Sequence, residues 1–409
     1  MTSTRRAAAP TKSTGTLTPV ITLEGHDGGI QCMSYFPDGK RIISGSWDKT
    51  ARQWDLQAGK EIVRARDASE HGVHAVVVSR DGRWVITAGG DVEHGKLKGR
   101  EVETGVVKKF QGHSSQITCI DVSPDNKLLA SGSGEDMAVR IWSLNTGKLV
   151  AGPFATHSDW VGAVRFSQDS NKLAVRSAVG RCLQLWDVEA QTLNRRIGGK
   201  VDGIMGLGSY APMFWTNRKT ILTIFSFTNG DPRSIYEFKT SRLRTFGAPF
   251  EGHTMIITGL ALSFDGAVLA SASSDNTIKL WAFDSRELLA SFDVLNLYTL
   301  ILSPDSRQLA WASWSKPEIY ICDVPLGSSI PLTGISLKPV TAGPSTVLKV
   351  RVYPHLSIFR YNSIRLKTGA THKRLIDVCI MSIFTYMLIH IYHCSLTQSV
   401  MLPCAIIRQ

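Results

Sequence analysis

The chain has 409 residues, 43% hydrophobic and 20% charged, the balance of an ordinary soluble globular protein too long for one small domain. Its formal charge of +12 sits in the two ends: residues 1–19 net +3, residues 325–409 net +8, and the 20–324 segment between them nets +1. A near-neutral middle argues against a nucleic-acid-binding face on the folded part, because such a face concentrates positive charge.

The N-terminal stretch, residues 1–19, lacks the apolar core of a secretory signal. Its Arg5, Arg6 and several Ser/Thr also fit a mitochondrial presequence, but the composition fits a disordered leader better. The chain holds 7 cysteines with no C-x-x-C pair, and Cys32 and Cys119 fall inside apolar runs. Reduced, buried thiols in a cytoplasmic or nuclear protein are the expectation.

From Leu23 a pattern begins and recurs: "LEGHDGGIQCMSYFPDGKRIISGSWDKTARQWDLQAGK". A worn copy follows around His71, with Arg100 where a tryptophan is expected and an insertion, "GGDVEHGKLKG", at its second turn that reads as an irregular loop. Close copies start at Phe110, Phe154 and Phe250. Between the last two, residues 198–249 must hold another unit, where "TILTIFSFTNGDPRSIYEFKT" reads as two strands around a turn. A final unit runs through "SPDS" to Cys322-Asp323. Each unit carries period-2 apolar runs separated by Asp/Gly/Asn turns, the pattern of short strands with one face buried.

The spacing from His26 to His71, His113 and His157 is 45, 42 and 44 residues, and His157 to His253 leaves room for two units. A period of about 40–45 with Gly-His near the start and Trp-Asp near the end resembles the WD40-repeat, transducin beta-like family, over residues 20–324. The resemblance implies an all-β fold, a seven-bladed β-propeller, flanked by the leader and by a non-repeat basic and apolar tail at 325–409. Four strands make a blade, and a closed ring leaves only short edges. The last unit stops after its third strand, so "TPVITLEG" is expected to supply the fourth and close the ring.

Serine, histidine and aspartate in "SGSWDKTARQWD" are also the parts of a hydrolase triad. Here they recur at fixed spacing, which favours architecture. The resemblance implies a structural hydrogen-bond network of His26, Asp48 and Trp54, of His113, Asp136 and Trp142, and of His253, Asp275 and Trp281. Ser44 or Ser46 joins the first set. In the fourth unit Gly180 replaces the aspartate, so His157 and Trp186 are expected to lack a partner; units two, five and seven lack most of the network.

No HExxH, phosphate loop or metal-ligand set is present, so no catalytic residue, metal or cofactor is expected. The resemblance implies a non-enzymatic scaffold or adaptor that binds other proteins or peptides on its loop face. Trp47, Trp314 and Met255 are expected to share an apolar patch there, with Trp160 further round. A second reading is a subunit of an RNA-processing or chromatin-associated complex whose basic tails contact nucleic acid. The apolar run Cys379–Tyr392 is short of the ~20 residues that a membrane span needs.

Overall fold

The computed structural model describes residues 14–15, 17–65, 71–156, 160–199, 209–228, 230–313 and 316–324. The tail, His157, Trp314 and most of the leader lie outside these. Every regular element among the described residues is a strand, and the strands form seven sheets.

Blade one runs Ile30–Tyr35, Arg41–Ser46, Ala51–Asp55, Lys60–Ala65, each strand antiparallel to the next. The other blades repeat this meander, with inner strands at Val73–Val78, Ile117–Val122, Val161–Phe166, Phe214–Trp215, Ile257–Leu262 and Leu297–Leu302. From blade one to blade five, and from blade six through blade seven to blade one, the inner strands of neighbouring blades pack side by side. Blade five is the thinnest, with two-residue inner and outer strands around Thr220–Phe225 and Ser234–Lys239. Those central strands are the two expected around "TNGD".

The closing strand is Ile21–Leu23, antiparallel to Ile319–Asp323, with Ile21 opposite Ile321 and Leu23 opposite Ile319. Val20 N–H adds a bond to Ile321 O at 2.8 Å, and the Cys322 thiol donates to Thr18 O at 3.0 Å. One sheet thus joins segments some 300 residues apart in sequence.

The apolar interior divides into seven clusters, one at every blade junction. This follows from the alternation: a blade has two apolar faces, and each is covered by a neighbour. The turns between first and second strands share a lock. In blades two, three, four, six and seven a serine donates to the aspartate two residues on, at 2.5–2.6 Å (Ser79–Asp81 through Ser303–Asp305).

Small residues mark where inner strands crowd. A Cβ on Gly132 would lie 2.4 Å from Val161 Cγ1 and 2.8 Å from Cys119 Sγ, and Gly45 stands in the same relation to Val73 and Cys32. Burial pushes the Cys119 thiol up to about 12, so it stays protonated. Gly132→Ala is expected to cost about 1–3 kcal/mol through overpacking. Gly199→Ala, with nothing within 4 Å of the new methyl, serves as the neutral control. Urea midpoints read the difference, and equal midpoints would remove the packing argument.

The blade-two insertion is not an irregular loop. It continues the hairpin through Gly89 with Lys96 to a further pair, Gly90 with Gly95. Asp91 Oδ1 then caps the turn by accepting from Glu93 N at 2.9 Å and His94 N at 2.7 Å.

Candidate functional site

Blades one, three and six carry the same buried chain of groups. The second strand supplies a serine, the third a tryptophan, the loop entering the blade a histidine, and the second turn an aspartate. In blade one, Trp54 Nε1–H donates to Ser44 Oγ at 2.8 Å, and Ser44 Oγ meets His26 Nε2 at 2.7 Å. His26 Nδ1 then meets Asp48 Oδ2 at 2.7 Å. Blade three gives Trp142–Ser131 2.9 Å, Ser131–His113 2.7 Å and His113–Asp136 2.7 Å. In blade six the same contacts are Trp281–Ser271 2.9 Å, Ser271–His253 2.8 Å and His253–Asp275 2.9 Å.

With each histidine neutral and its proton on Nδ1, every donor in the chain has one acceptor. The serine hydroxyl is used in both directions and is buried, so it is closed to a substrate. Ser46 has a different task. Its hydroxyl donates to Gly28 O at 2.8 Å and accepts from Asp48 N at 3.1 Å, tying the turn to the entering loop.

Burial alone would raise the Asp48 carboxyl. The hydrogen bonds from His26 and Thr50 outweigh it and hold the group well below the usual carboxylate range. Asp275 is held low by His253 and Thr277, and Asp136 by His113, against the same burial. Thr50 and Thr277 Oγ1 each donate to their aspartate at 2.6 Å. These threonines were legible as a repeated Asp-x-Thr, in "SWDKT" and "SSDNT", but the third copy, "GEDMA", lacks the hydroxyl. A cation on the third strand assists: Arg140 Nη1 lies 2.9 Å from Asp136 Oδ2, and Arg52 Nη2 3.8 Å from Asp48 Oδ2.

The other blades solve the same packing problem differently. In blade four Trp186 does have a partner: its Nε1–H donates to Gln184 Oε1 at 3.0 Å, and Gln184 Nε2 donates to Thr156 O at 3.4 Å. Val175 holds the serine's place, and a side chain from the third strand replaces the hydroxyl. One residue on, Arg176 is fully buried at the position of Gly132. Its guanidinium donates to Ser177, Ser209 and Ala211 carbonyls at 2.8–3.0 Å, where blade five's short inner strand leaves room. Blade two keeps a pair, His71 Nε2 with Asp91 Oδ2 at 2.8 Å; Asp91 falls where Asp48 does and was readable from "GGD" aligned on "SWD".

Blade five puts Phe238 in the tryptophan's place, inside a cluster with Phe225, Phe227 and Tyr236. An aromatic ring without an N–H needs no serine. Blade seven puts Trp311 at the serine's place, stacked on Tyr320 at 5.5 Å and 26°.

On the loop face, Trp47 is 44% exposed and turned toward blade two. Its ring meets His74 edge-on at 4.9 Å, and a Cβ on Gly72 would come within 2.7 Å of it. Trp160 shows the reciprocal arrangement. Partly buried, it leans back toward Gly134, the blade-three counterpart of Trp47. A tryptophan from one blade thus covers a glycine of the other at both junctions. Met255 is 41% exposed on the loop entering blade six. Trp47 thus belongs to blade one, Trp160 to the loop entering blade four and Met255 to the loop entering blade six, while Trp314, expected beside Trp47, lies outside the described residues.

The family description "WD domain, G-beta repeat" matches residues 17–55, 105–143 and 242–282, the stretches that contain the three complete networks. The chain is 23% identical to the Arabidopsis thaliana protein described as "Cell division cycle 20.5, cofactor of APC complex", over 66% of this chain and 58% of that one. It is 24% identical to the Solanum tuberosum "Guanine nucleotide-binding protein subunit beta", over 64% and 58%. It is 26% identical to the Arabidopsis "Periodic tryptophan protein 2", over 51% and 22%. The chain spans 57–60% of the length of the three Arabidopsis cell division cycle 20 relatives that it matches. Repeats of this sequence type, in sheets that close into a seven-bladed ring, make the chain a member of the WD40-repeat β-propeller family.

Proposed function

We propose that the protein is a non-enzymatic scaffold that holds another protein or peptide on its loop face, at the junction of blades one and two. Exposed Trp47, braced from beneath by Gly72 and His74, carries this reading. A tryptophan fixed in place presents a large apolar area at small entropic cost, which is the character of an interface anchor. Val92, 43% exposed, stands on the blade-two turn, and Asp27, Glu93 and Glu135 are exposed on the loops of blades one to three. That mixture favours a partner segment with apolar and basic side chains.

The test is affinity capture from the native cell with the full chain as bait, wild type against Trp47→Ala. The variant is expected to keep its circular dichroism spectrum and to lose the specific partner at least tenfold. Unchanged capture by a folded Trp47→Ala would place the interface elsewhere. Met255→Ala and Trp160→Ala then report on the other two junctions.

A further inference from the structure

Six blades end, as expected, at their fourth strand. Blade six does not: Thr14–Gly15 adds a fifth strand, parallel to Leu288–Asp293, with Thr14 opposite Ser291 and Gly15 opposite Phe292. The chain then continues through Leu17, which packs against the apolar cluster between blades six and seven, to the closing strand of blade seven.

The outer strands explain why this edge is the one taken. An unpaired outer strand offers a row of N–H and C=O groups to any extended chain, and proteins guard such edges with Lys, Arg or Pro, or by keeping them short. Blade one's outer strand, "KEIVRA", and blade four's, "TLNRRIG", carry cations. Blade two's "VKK" does too, blade three's "LVAGPFA" has a proline, and blade five's is two residues long. Blade six's "LLASFD" is six residues long and has no cation and no proline. Its guard is the chain's own N-terminal segment.

We propose that the outer edge of blade six is a strand-addition site, occupied in cis by Thr14–Gly15, whose ligand class is an extended, parallel segment rich in Ser, Thr and Gly like "KSTGTL" itself. Backbone pairing supplies the affinity in such recognition, and alternate side chains the selection. Tethering makes the leader's effective concentration high, so an outside segment binds only when the leader is released. This site is separate from the loop face and does not depend on the reading given for Trp47.

The full chain carrying Gly15→Pro removes an N–H from the added strand and releases the edge. The probe is a fluorescein-labelled peptide of residues 10–20, followed by anisotropy. Saturable binding to Gly15→Pro at least tenfold tighter than to wild type is expected, with no binding of a control peptide carrying proline at both the 14 and 15 positions. Equal binding to both proteins, or to neither, overturns the proposal, as does binding of the control peptide. Hydrogen exchange on the unmodified chain gives a second reading that does not rely on the variant's folding. The amides of Ala290–Phe292 are expected to exchange at least tenfold faster in 2 M urea, below global unfolding, once the added strand frays, and to be protected again by excess unlabelled 10–20 peptide. Exchange unaffected by the peptide would equally overturn the proposal.

Discussion

Leu23→Ala is expected to lower stability by about 2–5 kcal/mol, far more than its place near the chain's start would indicate. The side chain is 1% exposed and belongs to the cluster that joins blade seven to blade one, with Ile30, Trp54, Ile319 and Ile321. A stack of repeats without closure depends only on neighbouring contacts, and its end units fray. Here the end units are each other's neighbours, so weakening one short strand exposes two blades at once. The companion variant is Ile62→Ala, on the outer strand of blade one, where the side chain is 48% exposed and the change is expected to stay within about 0.5 kcal/mol. Chemical denaturation followed by circular dichroism measures both. Comparable losses would mean that Ile21–Leu23 is an appended strand and not the clasp of the ring. If the closure reading holds, Leu23→Ala also enlarges the hydrodynamic radius before the midpoint of unfolding, as the first and last blades separate.

How much of this was written in the amino-acid order depends on repetition. The His, Asp and Trp positions of blades one, three and six recur at fixed spacing, and a residue type that recurs at a fixed place in the repeat is visible without any knowledge of three-dimensional contact. The closing strand was visible as a deficit, one unit short of a strand and one strand short of a unit. What was hidden has a physical reason in each case. Ser44 and Ser46 lie two apart on one strand, so the pleat sends both to the same face, and the pattern alone cannot say which one reaches Trp54. Gln184 replaces a hydroxyl that belongs to the adjacent strand; such a substitution across a strand pair leaves no trace in a repeat alignment, because the replaced and the replacing residue occupy different columns. Arg176 is the same kind of case across a blade junction. A guanidinium fills the volume that a short inner strand in blade five leaves, and the need for it is created by a different unit. The surroundings of Trp47 were hidden for the same reason: its ring lies against His74 and Gly72 of the next blade, and nothing in its own repeat marks them.

Ser131→Ala should be the most informative change within a blade, with a loss of about 2–6 kcal/mol from the removal of a single oxygen. The hydroxyl accepts from Trp142 Nε1 at 2.9 Å and meets His113 Nε2 at 2.7 Å, and both partners are buried. Truncation leaves two orphaned polar atoms out of reach of water, at about 1–3 kcal/mol each. Trp142→Phe removes the donor along with the need for it, so in the Ser131→Ala/Trp142→Phe double variant the two losses should fall short of adding, by about 1 kcal/mol or more. Strict additivity would show that serine and indole do not act together. The same network sets the response to acid. Asp48, Asp136 and Asp275 have folded-state values below the unfolded value of about 3.9, so the unfolded chain binds the extra protons as pH falls. Their contribution is complete above about pH 5, begins to fade near pH 4 and continues to fall as pH drops toward the folded values. Asp275→Asn removes its share at every pH. The gap in melting temperature between wild type and Asp275→Asn is therefore expected to be widest at pH 6 and to narrow at pH 3, where the wild-type carboxylate has lost much of its advantage. A gap of constant width would show that the aspartate acts through shape alone and that its charge contributes nothing to holding the loop against His253.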